Sequence, residues 1–232
     1  MKKYISYILF LFILCGLFSC GKKWKETTQA SFVFEINDDS NGYIQFDEGY
    51  IILHNFDFSG NREQGKKEVD FERNFGNQTN LAKVSLTGTS NTSYPIEFDI
   101  PQGTYTSIDI QIEISMQQGN EQAVLLTGIY TKDNGSDIPL QFEFNQGISF
   151  TIKAQNQNGS GDIVLVEDKP AEATVILDPI YWFGTVSKNM LENASLKNIQ
   201  GTPTLVVSHT HNSNIYDMVV GRIGSGNKVV FK

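Results

Sequence analysis

From about residue 30 to residue 178, apolar and polar side chains alternate along the chain with a period of two. Successive side chains of a strand point to opposite faces, so this period predicts strands with one dry and one wet side. The clearest run is TYTSIDIQIEISM, residues 104–116. Ile108, Ile110, Ile112, Ile114 and Met116 fall on one face; Asp109, Gln111, Glu113 and Ser115 fall on the other. IPLQFEF repeats the pattern with Ile138, Leu140, Phe142 and Phe144, and ISFTIKA with Ile148, Phe150 and Ile152. Turn signals punctuate these runs at Asn41-Gly42, Pro101-Gln102-Gly103, Asn134-Gly135, Asn145-Gln146-Gly147 and Asn158-Gly159. Many half-wet strands with no helical period between them predict a mainly β chain. The expected body, residues 29–178, is an antiparallel β-sandwich of the immunoglobulin- or transthyretin-like kind.

The period changes at Asp178-Pro179. DPIYWFGTVSKNMLENA places a proline in a first helical turn and predicts a short helix through Leu191. TPTLVVS reads as a strand. NSNIYDMVVGRIG spaces Ile215, Met218, Val219 and Ile223 for a helix, with Asn214 and Asp217 as a cap pair and Gly224 beyond its end. KVVF closes the chain as an edge strand. Residues 179–232 are thus expected to form a small α/β appendage packed on the sandwich.

The front of the chain follows a different rule. Lys2 and Lys3 precede a 16-residue, almost wholly apolar run from Tyr4 to Ser19, the layout of a secretory signal. Leu17, Ser19 and Cys20 resemble the lipobox of bacterial lipoproteins, although Phe18 is bulkier than the usual residue. Cys15 does not fit, because Leu14 precedes it. The resemblance implies a signal peptide over 1–19 and an acylated Cys20 at the new N-terminus, with 20–28 as a tether. One acyl chain binds a bilayer only marginally, whereas two or three hold almost permanently. The competing reading is an ordinary signal peptide that leaves a free thiol. Cleavage before Cys20 leaves 213 residues and, with Lys2 and Lys3 gone, takes the formal charge from −8 to −10. No second cysteine remains for a disulfide, so stability has to come from the core. An acidic chain with no basic cluster is a poor nucleic-acid binder.

Four local patterns carry candidate chemistry. NDDSNGYIQFDE, residues 37–48, follows the calcium-loop spacing with Asn37, Asp39, Asn41, Gly42 and Glu48, its asparagine standing where an aspartate is usual. The alternative is a hairpin turned at Asn41-Gly42. His209 and His211, two apart, would share a strand face as a metal pair, or serve merely as polar loop residues. Tyr181 and Trp182 offer rings for stacking on a sugar, against the alternative that the aromatic run plugs the core. Asp109 and Glu113 lie about 13 Å apart along one strand, too far for a glycosidase pair. The chain carries no nucleophile elbow, zinc-protease or phosphate-loop motif.

The lipobox cysteine, with IQFDEGYIIL, DFSGNRE, IPQGTYTSIDIQIEI, GIYTKDNGSDIPLQFEF, ILDPIYWF and NIYDMVVGRI, resembles the Bacteroidetes-type envelope lipoproteins that carry a β-sandwich domain of unassigned activity. That resemblance implies an extracytoplasmic body anchored to the outer membrane. The basic stretch CGKKWKE after the cysteine favours the periplasmic side, since members displayed outside tend to be acidic there. The expected function is a non-enzymatic binding or scaffolding module for an envelope protein or glycan, with no cofactor beyond the calcium that the 37–48 loop would take. The alternatives are a fimbria-like subunit that donates its C-terminal strand to a neighbour, and a glycan-active hydrolase.

Overall fold

A computed structural model describes residues 26–37, 39–65, 67–75, 82–87, 96–119, 121–159 and 161–232. Cys20, the leader and the tether as far as Lys25 lie outside the described residues. The elements are β1 (Thr27–Ile36), β2 (Ile44–Gln64), β3 (Lys67–Asn74), β4 (Ala82–Thr87), β5 (Ile96–Pro101), β6 (Gly103–Ile114), β7 (Val124–Thr131), β8 (Asp137–Phe144), β9 (Ile148–Asn156), β10 (Ile163–Leu165) and β11 (Ala171–Leu177). They continue with α1 (Pro179–Trp182), a 3-10 turn (Phe183–Thr185), α2 (Lys188–Glu192), β12 (Leu196–Ile199), β13 (Thr202–Val207), α3 (Ser213–Val220) and β14 (Lys228–Phe231). The protein is mainly β, as the alternation predicts. Among the described residues no helix is long and apolar enough to cross a membrane.

The fourteen strands of the described residues join one open sheet. Its spine is three long antiparallel lines. β2, 21 residues long, pairs with β7 through Ile44–Ile51 and with β6 through Leu53–Arg62. β7 pairs with β8, and β6 with β9. Only three residues join β8 to β9. Four peptide steps reach about 14 Å, which is short of the roughly 19 Å across four strand spacings. β6 and β7 therefore lie end to end along one edge of β2, and β3 and β4 share the other edge. Register shifts at Phe46/Glu48, Leu53/Asn55 and Asn61/Arg62 break the line of β2, as bulges do where a sheet bends.

The two halves of the spine recruit different neighbours. β13 runs parallel to β8 and carries β12 on its far side. β14 runs parallel to β9 and antiparallel to β11, and β11 runs parallel to β1, which carries β5. These three parallel ladders correct the purely antiparallel expectation: the sheet is mixed. The wing β14–β11–β1–β5 curls back over the spine, so that Phe32 meets Phe56 at 5.0 Å and Phe98 meets Phe58 at 5.7 Å between ring centroids. On the other half, Phe183 packs on Phe46 and Phe142, and Tyr216 on Phe142 and Phe144.

Several finer expectations change. Ile108, Ile110, Ile112 and Ile114 are buried as the pattern requires, but Met116 lies beyond the strand and is 67% exposed. The single helix expected through Leu191 is three short pieces. The Asp178 carboxylate accepts from Tyr181 N at 2.9 Å to start the first, and Ser187 Oγ accepts from Met190 N at 3.3 Å to start the last. α3 begins after Asn212, which adopts a left-handed backbone, so Asn214 and Asp217 do not cap it. β14 is not an edge strand but sits between β9 and β11. Residues 179–232 consequently belong to the same sheet as the body and are not an appendage on it.

Candidate functional site

The loop after β1 directs its oxygens at its own backbone. Asn37 Oδ1 accepts from Asp39 N at 3.3 Å, and Asn41 Oδ1 from Tyr43 N and Ile44 N at 3.2 and 2.8 Å. Ser40 Oγ accepts from Gly42 N at 3.0 Å, while Gly42 takes a φ of +90°. Two oxygens of the calcium pattern, on Asn37 and Asn41, thus accept from N–H groups of their own loop, and Glu48 lies beyond that loop on β2. Asn41-Gly42 is not the tip of a β1–β2 hairpin, because those strands pair with other partners and the loop carries the chain from wing to spine. Among the described residues no three His, Cys, Asp or Glu side chains gather as a metal cluster.

The aromatic run after Asp178 divides by residue. Trp182 is 1% exposed, and its indole N–H donates to Asn227 Oδ1 at 3.1 Å. Phe183 is fully buried. Trp182 thus plugs the core and offers no stacking face. Tyr181 reaches the surface, but the Arg222 guanidinium lies 4.3 Å from its ring centre, and Arg222 Nε donates to the Tyr181 carbonyl at 3.1 Å. Gly226 also abuts that ring, leaving no room for a Cβ. The platform read from Tyr181 and Trp182 is occupied by the chain itself.

On the wet face of the spine, Asp57 of β2 pairs with Gln111 and so stands between Asp109 and Glu113 of β6. Burial raises the Asp57 carboxyl above the usual carboxylate range. Hydrogen bonding from Asn55 opposes this, and the nearby Glu113 charge adds to it. Sequence spacing along one strand could not show this third acid, because it arrives by cross-strand pairing. All three stand on two adjacent strands of one sheet face.

Polar side chains of several kinds converge beside α3. A hollow of about 240 Å³ forms where β8, β13 and α3 meet, lined by Gln122, Glu143, Asn145, Ser208, His209 and Tyr216. Gln141 Nε2 holds Glu143 Oε1 at 2.5 Å, and the Asn145 amide is fixed by two hydrogen bonds to the Gln117 backbone. Burial, with the Asp217 charge beside it, raises the Tyr216 phenol above its ordinary value, so it stays protonated as a donor. His209 lies edge-on to Tyr216 at 5.9 Å. His211 lies across the turn, bridged to Ser208, with its Nδ1 buried. The two histidines therefore do not form the strand-face pair expected of them. SHTHN did mark one wall of this hollow, but the facing wall, Glu143 and Asn145, is more than sixty residues away in sequence. A larger hollow of about 440 Å³ opens where β6 leaves β9 for β10, lined by Ser107, Lys153 and Asp162. No protein-family model matches this chain, and no curated protein or solved structure does either.

Proposed function

We propose that the chain is a lipid-anchored envelope lipoprotein, periplasm-facing at the outer membrane, that works by binding rather than by catalysis. The observation that carries the reading is Cys20, placed directly after an apolar leader and seven residues before β1 begins at Thr27. The binding site is the hollow beside Tyr216. It combines a carboxylate, an imidazole, a phenol and carboxamides on strand ends, the mixture of donors and acceptors suited to a hydroxyl-rich glycan or a polar protein loop. The placement of Asp57, Asp109 and Glu113 on two adjacent strands of one sheet face supports a non-enzymatic role over a glycan-active hydrolase, whose acids face each other across a cleft. The edge-to-face ring contacts Phe32–Phe56 and Phe58–Phe98, between wing and spine, support a two-layered, sandwich-like body, and the parallel ladders argue against the immunoglobulin plan.

Fractionation tests the address. The full chain should remain with membranes and show an acylated N-terminal cysteine by mass spectrometry, and Cys20→Ser should move it to the soluble fraction. Soluble Cys20→Ser protein then tests the site against a panel of envelope glycans and peptidoglycan fragments, where His209→Ala should lose whatever binding the parent shows. An unmodified, uncleaved front end defeats the proposal. Strand addition between subunits keeps one supporting observation, the outer edge of β12, unpaired among the described residues and bearing Leu196 at 42% exposure. The C-terminal donor it would need is committed on both sides to β9 and β11.

A further inference from the structure

The chain is fastened at Glu26 and Thr28. Gln102 N donates to the Glu26 carbonyl at 3.0 Å, and Gln102 Nε2 to Glu26 Oε2 at 2.9 Å. Thr28 Oγ1 donates to the Lys169 carbonyl at 2.9 Å. Strand register brings the β2–β3 turn, the β5–β6 turn, the β10–β11 turn and the C-terminal residue to the same end of the molecule. Gln64 faces Lys67, Thr27 faces Pro101, and Lys232 N donates to Glu172 O at 2.9 Å. Six residues from Cys20 to Glu26 span at most about 20 Å fully extended. An acyl group on Cys20 would therefore hold this end, and no other, close to the bilayer.

The same end carries exposed apolar surface. Gln102 lines a hollow of about 310 Å³ together with Glu63, Thr104, Val164, Leu165 and Val166. Val164 is 64% and Val166 46% exposed, two of the five most exposed large apolar side chains among the described residues. Val164 lies on β10 and Val166 directly follows its end, and both turn outward while Ile163 and Leu165 between and beside them are buried. We infer that the Val164–Val166 rim rests in the interfacial layer of the bilayer that holds Cys20, so that the body stands on the membrane with β10 downward. This rests on the lipid-anchor reading above. A lipid surface suits the rim because two neighbouring valines at the end of a short strand form a shallow apolar contact. Glu63, Glu167 and Asp168 lie beside it in sequence or in the hollow, which selects neutral over anionic headgroups. It also leaves the hollow beside Tyr216, built on the far half of the spine, clear of the membrane.

The test uses the processed full chain reconstituted in phosphatidylcholine vesicles, with an environment-sensitive dye on Val164→Cys or on Asp39→Cys. Asp39 follows the other end of β1, about 30 Å from Thr27. The expected result is blue-shifted emission at 164, lost to a nitroxide-bearing lipid, with neither effect at 39. Flotation with acylated Cys20 but a water-like signal at 164, or equal signals at both positions, overturns this inference and leaves the anchor standing. Shielding at 164 that survives detergent removal of lipid assigns the rim to a protein and overturns it too. A chain that does not float and carries an unacylated Cys20 overturns the anchor and this inference together.

Discussion

Asn227 serves three groups at once. Its Oδ1 accepts from the Asp178 backbone and from the Trp182 indole, both at 3.1 Å, and its Nδ2 donates to the Ile223 carbonyl at 2.7 Å. One amide thereby joins the end of β11, the plug of the core and the turn before β14. In Asn227→Ala the indole N–H, buried at 1% exposure, has lost its acceptor. Leaving a buried donor unpaired costs about 1–3 kcal/mol. In a chain of this size each kcal/mol shifts Tm by about 2–4 °C. A thermal melt should therefore show a fall of roughly 4–8 °C for a loss near 2 kcal/mol. Asn227→Asp keeps an acceptor oxygen but forfeits the bond to Ile223, and should melt between the two. An unchanged Tm in the alanine variant would mean that the indole finds another acceptor. The burial of Trp182 was legible in the sequence, because large aromatic rings in an apolar run usually plug a core. Its acceptor, 45 positions onward, was not.

At the scale of the element, the outcome of a substitution should follow a strand's place in the sheet. Val229 of β14 is fully buried, between β9 and β11, whereas Leu196 of β12 is 42% exposed on an outer strand. Val229→Asp puts a carboxylate in a dry position with no partner, a cost of at least about 3 kcal/mol. Leu196→Lys exchanges one exposed side chain for another and should stay within about 0.5 kcal/mol. Denaturant midpoints compare the two directly, and a similar loss in both would contradict the strand order. Alternation revealed β6, β8 and β9 because each keeps one dry face. It was silent on partners, since a parallel and an antiparallel neighbour ask for the same apolar face. That is why β14, only four residues long and last in the chain, was read as an edge when it is interior. The calcium-like spacing has a related limit: it counts positions without regard to the structure that holds them, and it spans a loop at Asn37, Asp39 and Asn41 and a strand at Glu48.

The whole molecule depends on that late strand. Among the described residues, β11 has two ladder partners, β1 and β14, and the wing β11–β1–β5 reaches the spine through the β14 ladder alone. β8 likewise loses its outer neighbour if β13 is absent. A chain ending at Asp178 would retain every clearly alternating run in the sequence and yet lack the strands that join them. What would remain is a spine with two bare edges and a three-stranded wing tied to it by Phe32, Phe98 and the connecting loops. Two separable units would instead leave 29–178 folded, with its own melting transition. The sheet predicts the opposite: the full body should unfold in a single cooperative step. The chain truncated after Asp178 should give no cooperative melt by circular dichroism and no ordered near-ultraviolet signal. Calorimetry of the full body decides between the two pictures. Two resolved heat-capacity peaks would restore an independent tail, and one peak, together with an unfolded truncation, follows from a sheet that is complete only when its last four-residue strand is in place.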